Sequence, residues 1–292
     1  PIDINNSRIE SYELVQLDLP ANLPEAFDLE FDFEGEPISI ELQQHSIRGE
    51  GFRLFVDHGD GVLVNTAIED PRTYRGIAFG LDRDTSSASL LDSGISLMVH
   101  RTIGPDLAIQ PASDFELDVP PNTHVVYWAD QASAEGHCGT EAPDPAIDAG
   151  PAPREPDQGG VAGTSLYLVE VGIDCDYEFY QRLGSSVPNA VNSVELIMNN
   201  TDTIYVRDVQ IAYEMTTVII RSSSSDPYTQ NSIDGRLNQF QSVWDSAPET
   251  EIIHDVAHMF SGVNFSGGTI GLAYVRSEEH TSELQSRQYL VC

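Results

Sequence analysis

The 292-residue chain contains no lysine: all 14 basic residues are arginine, set against 47 acidic ones, for a formal net charge of −33. Such a balance leaves no general phosphate-binding face, which excludes nucleic acid and anionic membranes as partners. It suits a protein exposed to salt, where screening relieves self-repulsion. Long apolar runs are missing as well, so no membrane-spanning helix is expected. Cysteine is scarce. Cys138, Cys175 and Cys292 are too few to require an oxidising compartment or to exclude one. No initiator methionine and no charged-then-apolar leader stand before "PIDINNSRIE", as expected where a signal peptide has been removed or a fragment begins inside its gene. G-x-S-x-G, Walker and Rossmann fingerprints are all absent.

What remains is an ordinary globular composition, 40% hydrophobic, in a chain long enough for one large or two medium domains. Residues 1–125 read as β structure. "FDLEFDFEGEPISIELQQHSI" alternates apolar and polar residues around a Gly turn, and further short apolar runs follow with Gly, Asp and Ser between them. Residues 126–163 pass through Cys138 into "EAPDPAIDAGPAPREPDQGGVAG", a Pro, Gly and acid-rich stretch with the composition of a cleavable linker. From residue 164 the pattern changes to strand, helix, helix, strand, helix, strand. In the longest expected helix, "VPNAVNSVELIMNNTDTIYVRD", Val191, Val194, Ile197, Met198 and Ile204 form one apolar face, with Pro188 near its start. The chain is thus expected to be an α+β, multi-domain protein: a β-rich domain, then an α/β part over 164–275 with a mixed, mainly parallel sheet.

Residues 276–292 stand apart. "RSEEHTSELQS" resembles the translation of a common sequencing adapter, and the segment is expected to be an artefact outside the natural sequence. On that expectation the natural chain is interrupted after Val275, and His280 and Cys292 serve as ligands for nothing.

The most tempting motif is "HDVAH", His254 to His258. A zinc site of the H-E-x-x-H kind needs both rings on one turn of a helix, a carboxylate of the right reach and a third ligand. Here "MFSGVNFSGG" ends any helix within a turn, and Asp255 is one methylene shorter than Glu. The other histidines, His45, His58, His100, His124 and His137, lack ligand spacing. The reading as a metallohydrolase on His254 and His258 is therefore disfavoured.

Its neighbours say more. Gln239 to Trp244 supply a helix ending in F-x-x-x-W. Asp255, Ala257, Phe260, Ser261 and Gly262 follow, then Phe265, Gly268, Thr269, Gly271, Ala273, Tyr274 and Val275. Together with "LYLVEVGIDCDYEFYQRLG" and "NNTDTIYVRDVQIAY", this run over Ser165–Val275 resembles the adamalysin (reprolysin, ADAM-like) branch of the metzincin zinc endopeptidases. The resemblance implies a secreted, zinc-dependent peptidase acting on peptide or protein substrates. It implies that residues 1–125 are a prodomain, the protein's own intramolecular inhibitor, and that 164–275 are the first half of the catalytic domain. No H-E-x-x-H occurs in the chain, so the family's zinc ligands and general base are expected beyond it, and the chain itself is expected to be inactive.

Three further assignments rest on the resemblance. Gly268, Thr269, Ile270, Gly271, Leu272 and Ala273 would be the edge strand that pairs with extended substrate, with Gly271 and Ala273 keeping side chains out of the cleft; an ordinary packed strand is the alternative. Glu170 and Asp255 would contribute to a Ca²⁺ site, although two carboxylates are too few for its coordination. Cys138, in "GHCGT", would be a latency switch whose thiolate occupies the zinc until the prodomain is cut away; a disulfide with Cys175 or a free thiol are the alternatives. A different class also stays open: a non-enzymatic, acidic, secreted binding protein with a degenerate protease-like domain.

Overall fold

The computed structural model describes residues 2–4, 7–81, 84–115, 117–134, 137–138, 166–265, 268–273 and 288–291. The N-terminal half is made of strands: β1 (Ile2–Ile4), β2 (Ser7–Ile9), β3 (Glu13–Gln16), β4 (Ala26–Phe33), β5 (Glu36–Gln44), β6 (Arg48–Asp57), β7 (Val64–Thr66), β8 (Thr73–Phe79), β9 (Asp84–Leu91), β10 (Gly94–His100), β11 (Leu107–Pro111), β12 (Thr123–Trp128), β13 (Ala132–Ala134) and β14 (His137–Cys138). Then come β15 (Tyr167–Cys175), helices α1 (Tyr177–Arg182) and α2 (Val187–Val209), β16 (Ile211–Arg221), α3 (Ile233–Trp244), β17 (Val256–Phe260), β18 (Thr269–Ala273) and β19 (Gln288–Val291).

The N-terminal strands follow the alternation of their sequence. In β4, Leu29, Phe31 and Phe33 are buried while the acidic residues between them face out. Glu34 and Gly35 turn the chain into β5 with φ of 52° and 81°, the left-handed backbone that suits a tight hairpin. The result is an antiparallel sheet ordered β3-β12-β11-β10-β9-β8-β5-β4. Its core includes Leu29, Ile40, Tyr74, Ile95, Leu107 and Val126. A small sheet, β1-β2-β13, flanks it.

The second large sheet runs β14-β18-β19-β17-β15-β16-β6-β7. Pairings of β15 with β16 and β17, β16 with β6, β17 with β19, and β14 with β18 are parallel; β18 with β19 and β6 with β7 are antiparallel. Strands from residues 1–125 therefore contribute to both large sheets, and the sheet boundary does not follow the composition boundary at 125. The reason is local. "RLFVD" carries apolar residues on both faces, so Leu54 packs with Val171, Val218 and Ile220 while Phe55 packs with Ile219 and Trp244. A strand buried on both faces belongs inside a parallel sheet. Gln288–Val291, in the adapter-like segment, occupies the slot between β17 and β18; backbone donors and acceptors there pair with any extended segment.

Helix α2 lies between the two large sheets and touches β16 on one side and β9 on the other. Ser186 caps its start by accepting from the Asn189 amide, and Gln210 ends it in the left-handed region. Ala190, Val191, Val194 and Met198 enter the core of the second sheet, each contributing about 1.5–3 kcal/mol for the larger side chains. Ile197, expected on that face, is exposed, and Ile204 is half-buried. The second covered face is instead polar: Asn199 and Asp202 are buried against Tyr74, Ala88 and Arg75 of the antiparallel sheet, and Glu195 is buried beside Arg48 of β6.

Candidate functional site

Strand β18 is where the sequence places the substrate edge. Gly268 enters it at φ +73°, a conformation that glycine adopts without strain. Along the strand Ile270 is 61% exposed, Gly271 is buried, and Leu272 packs with Trp244 and Met259. One side of β18 pairs with β19. The other pairs in parallel with β14, with His137 opposite Thr269 and Cys138 opposite Gly271, across a register shift. The expected open edge is thus paired with β14, which brings Cys138 and Gly271 together through the backbone. Tyr274 and Val275 lie outside the described residues.

Cys175 ends β15 as a free, buried thiol, so the disulfide between Cys138 and Cys175 does not form. Burial, with Asp174 and Asp176 beside it, pushes that thiol well up, which makes it inert.

Glu170 and Asp255 do meet, through backbone as well as side chain. The Glu170 amide donates to Asp255 Oδ2 at 3.0 Å, and the Asp255 amide donates back to the Glu170 carbonyl at 2.8 Å. This exchange joins the start of β17 to β15 and engages one carboxylate oxygen.

"HDVAH" is a strand, not a helix: Val256–Phe260 form β17, with His254 in the approach. Four residues of extended chain span roughly 13 Å, too far for both rings to share one metal. His254 stands edge-on to Trp244 at 4.9 Å, while His258 stacks on Phe260 at 4.4 Å. Burial lowers His258 to about 4. Among the described residues no group of three His, Cys, Asp or Glu side chains is placed to hold a metal. The donor set of these residues does not fit zinc.

Sequence reasoning missed the charged interior beside the site. Arg221 ends β16 and is 1% exposed. Its Nε and Nη2 donate to the two oxygens of Asp174 at 3.0 and 2.6 Å, its Nη1 to Asp57 at 3.0 Å, and its Nη2 also to Glu249 at 2.8 Å. Tyr228 Oη and Trp244 Nε1 donate to Asp174 at 2.7 and 3.0 Å. These carboxylates and Tyr228 raise the Arg221 guanidinium well above its usual range against the burial that opposes it. A cavity of about 370 Å³ lies over the cluster, bordered by Asp57, Arg221, Ser225, Ser242 and Glu249. A second network centres on Asp176, the N-cap of α1, which accepts from the amides of Phe179 and Gly262 and from the Ser261 hydroxyl, with Arg236 at 3.4 Å. It fastens the end of β15 to the loop leading from β17 to β18. The available signal was a charged residue closing each apolar run: "LFVD", "VGIDCD" and "VIIR".

Comparison with known proteins bears on the second half. Residues 165–288, less than half of the chain, match the model of Metallo-peptidase family M12 (Reprolysin_5), so this segment is similar to that family. Among solved structures, the crystal structure of metalloproteinase-II from Bacteroides fragilis is similar over 91% of this chain and 75% of that one, at 12% identity and a TM-score of 0.41. A chaperone–substrate complex matches over 70% of this chain and 27% of that one, at 8% identity and a TM-score of 0.31.

Proposed function

We propose that the chain is part of a secreted zinc endopeptidase, held latent by its own N-terminal half. The observation that carries the reading is the pairing of His137–Cys138 with Thr269–Gly271. A sheet edge presents a row of backbone donors and acceptors that an extended peptide can use for binding. The β14 segment uses part of that row, so substrate and switch segment compete for one surface. The metallopeptidase-type match over 165–288 supports the choice of a peptide or protein substrate, and the lysine-free, acidic composition agrees with an extracellular place of action. The finer placement in the adamalysin branch rests on the motifs from Gln239 to Val275.

In this reading Gly268–Ala273 hold substrate backbone in register. Asp176, through Ser261 and Gly262, fixes where that strand begins. The switch role of Cys138 is supported by its backbone position alone. Because the described residues do not fit zinc, the 292-residue chain is expected not to hydrolyse peptides.

The test is hydrolysis of an unfolded protein, with and without zinc. The 292-residue chain should be inactive. A longer product of the gene, carrying H-E-x-x-H, should become active when cut within 139–165 and lose activity to a chelator. Zinc-dependent hydrolysis by the 292-residue chain, or none by the cut longer product, would overturn the reading.

A further inference from the structure

Residues 1–138 hold the second half at three places of very different strength. At β18 the hold is two residues of β14 with an irregular register, and pairing that short is marginal in water. At the opposite side of the same sheet, β6 pairs with β16 from Arg48 opposite Met215 to Asp57 opposite Arg221. The Ile47 carbonyl accepts from the Met215 amide at 2.8 Å, and the Asp57 carbonyl accepts from the Ser222 amide at 2.9 Å. Ile47, Leu54 and Val56 are nearly inaccessible to water, and the first two belong to the same core cluster as Val171, Val194 and Val218. The last turn of that strand places the Asp57 carboxylate on Arg221.

The third place is α2. Arg48 pairs with Glu195 and Arg75 with Asp202, and Asn199 Nδ2 donates to the carbonyls of Tyr74 and Ala88 at 3.1 and 3.3 Å. Glu195 Oε2 is buried without a hydrogen-bond partner, and burial raises the Glu195 carboxyl above its ordinary range against the Arg48 contact. This is the polar, imperfectly satisfied kind of contact found between separable partners. The apolar anchor is β6.

We infer that the β16 edge and the polar face of α2 form a binding surface for residues 1–138 as a separate chain, so that a cut within 139–165 frees β18 while the two pieces stay joined through β6. The inference rests on the reading that the N-terminal half is an inhibitor released by a linker cut, and it adds that loss of the cover and loss of the subunit are separate events. Asp57 remains part of the buried Arg221 cluster after the cut.

The experiment places a sequence-specific protease site in 150–155 of the full chain, cuts it, and follows the pieces by gel filtration at micromolar concentration. Co-elution at the uncut volume is expected. Amides of Ile219–Arg221 should keep their hydrogen-exchange protection while that of Gly271 falls by about tenfold or more. Separation of the pieces, or equal loss of protection in β16 and β18, would overturn the inference. Leu54→Asp should make the cut pieces separate, and continued co-elution of that variant would show that β6 is not the anchor. Exchange on the unsubstituted protein needs no variant to fold. Neither readout requires hydrolysis: a chain that is no protease would still show co-elution, and pieces that separate would leave the protease reading standing.

Discussion

Arg221 and Asp57, 164 residues apart in the chain, form an ion pair at 3.0 Å with both side chains almost wholly buried. The same guanidinium also pairs with Asp174 and Glu249. Removing one partner of a buried ionic cluster is costly because it strands the others. Arg221→Met should therefore lower stability by about 3–5 kcal/mol in urea unfolding. Arg221→Lys should rescue little, since lysine lacks the planar fork that engages both oxygens of Asp174. A loss below about 1 kcal/mol for either variant would place the cluster outside the cooperative core.

Gly172 lies under Trp244. A Cβ at 172 would sit 2.5 Å from the ring carbon Cη2, and the ring cannot retreat because its Nε1 is bonded to Asp174 and it packs on Phe240. Gly172→Ala should destabilise by about 1–3 kcal/mol, the usual range for overpacking. Thermal unfolding with an unchanged midpoint would mean that Trp244 is free to move.

Two buried groups predict opposite pH slopes. His258 is lowered from 6.5 to about 4 by burial, so the unfolded chain takes up its proton first. The stability it contributes is complete above pH 6.5 and is lost as pH falls toward about 4. Asp226 is raised from 3.8 to about 6, chiefly by burial, against amide bonds from Tyr177 and Tyr228. The folded chain takes up that proton first, so its contribution grows as pH falls from about 6 to 3.8. Denaturation midpoints across pH 4–7 should flatten on the losing side in His258→Gln and on the gaining side in Asp226→Asn. Identical slopes in the two variants would refute both assignments.

Cys175 should be silent toward thiol reagents in the folded protein. It is free, buried and pushed away from the thiolate form, and the thiolate is the reactive species. Labelling at Cys175, followed by mass spectrometry of its peptide, should appear only once denaturant unfolds the second half. Native-state labelling within minutes would contradict the packing of β15.

Much of the second half was legible because its signals are local. Asp176, Ser186 and Ser232 stand as N-caps where α1, α2 and α3 begin, and the apolar runs of β15 and β16 read as buried strands. The motif run through Phe265 to Ala273 likewise pointed to β18. The other features depend on residues far apart in sequence. Nothing near Leu54 says that its strand joins β16. Nothing in α2 says that Asn199 and Asp202 face the antiparallel sheet while Ile197 faces water; a periodicity reading assumes one covered face. The Arg221 cluster draws on β6, β15, β16 and the loop at Glu249, so each charge taken alone looks like a strand end at the surface.

The cover over β18 is the most direct thing to measure. Amide hydrogen exchange at Thr269–Ala273 would be compared between the 292-residue chain and one with residues 135–140 replaced by Gly and Ser. If β14 occupies the substrate edge, protection in β18 falls by about tenfold or more while β16 is unchanged. Equal protection of β18 in the two chains would mean that His137–Cys138 do not cover the edge, and the latency reading would fall with it.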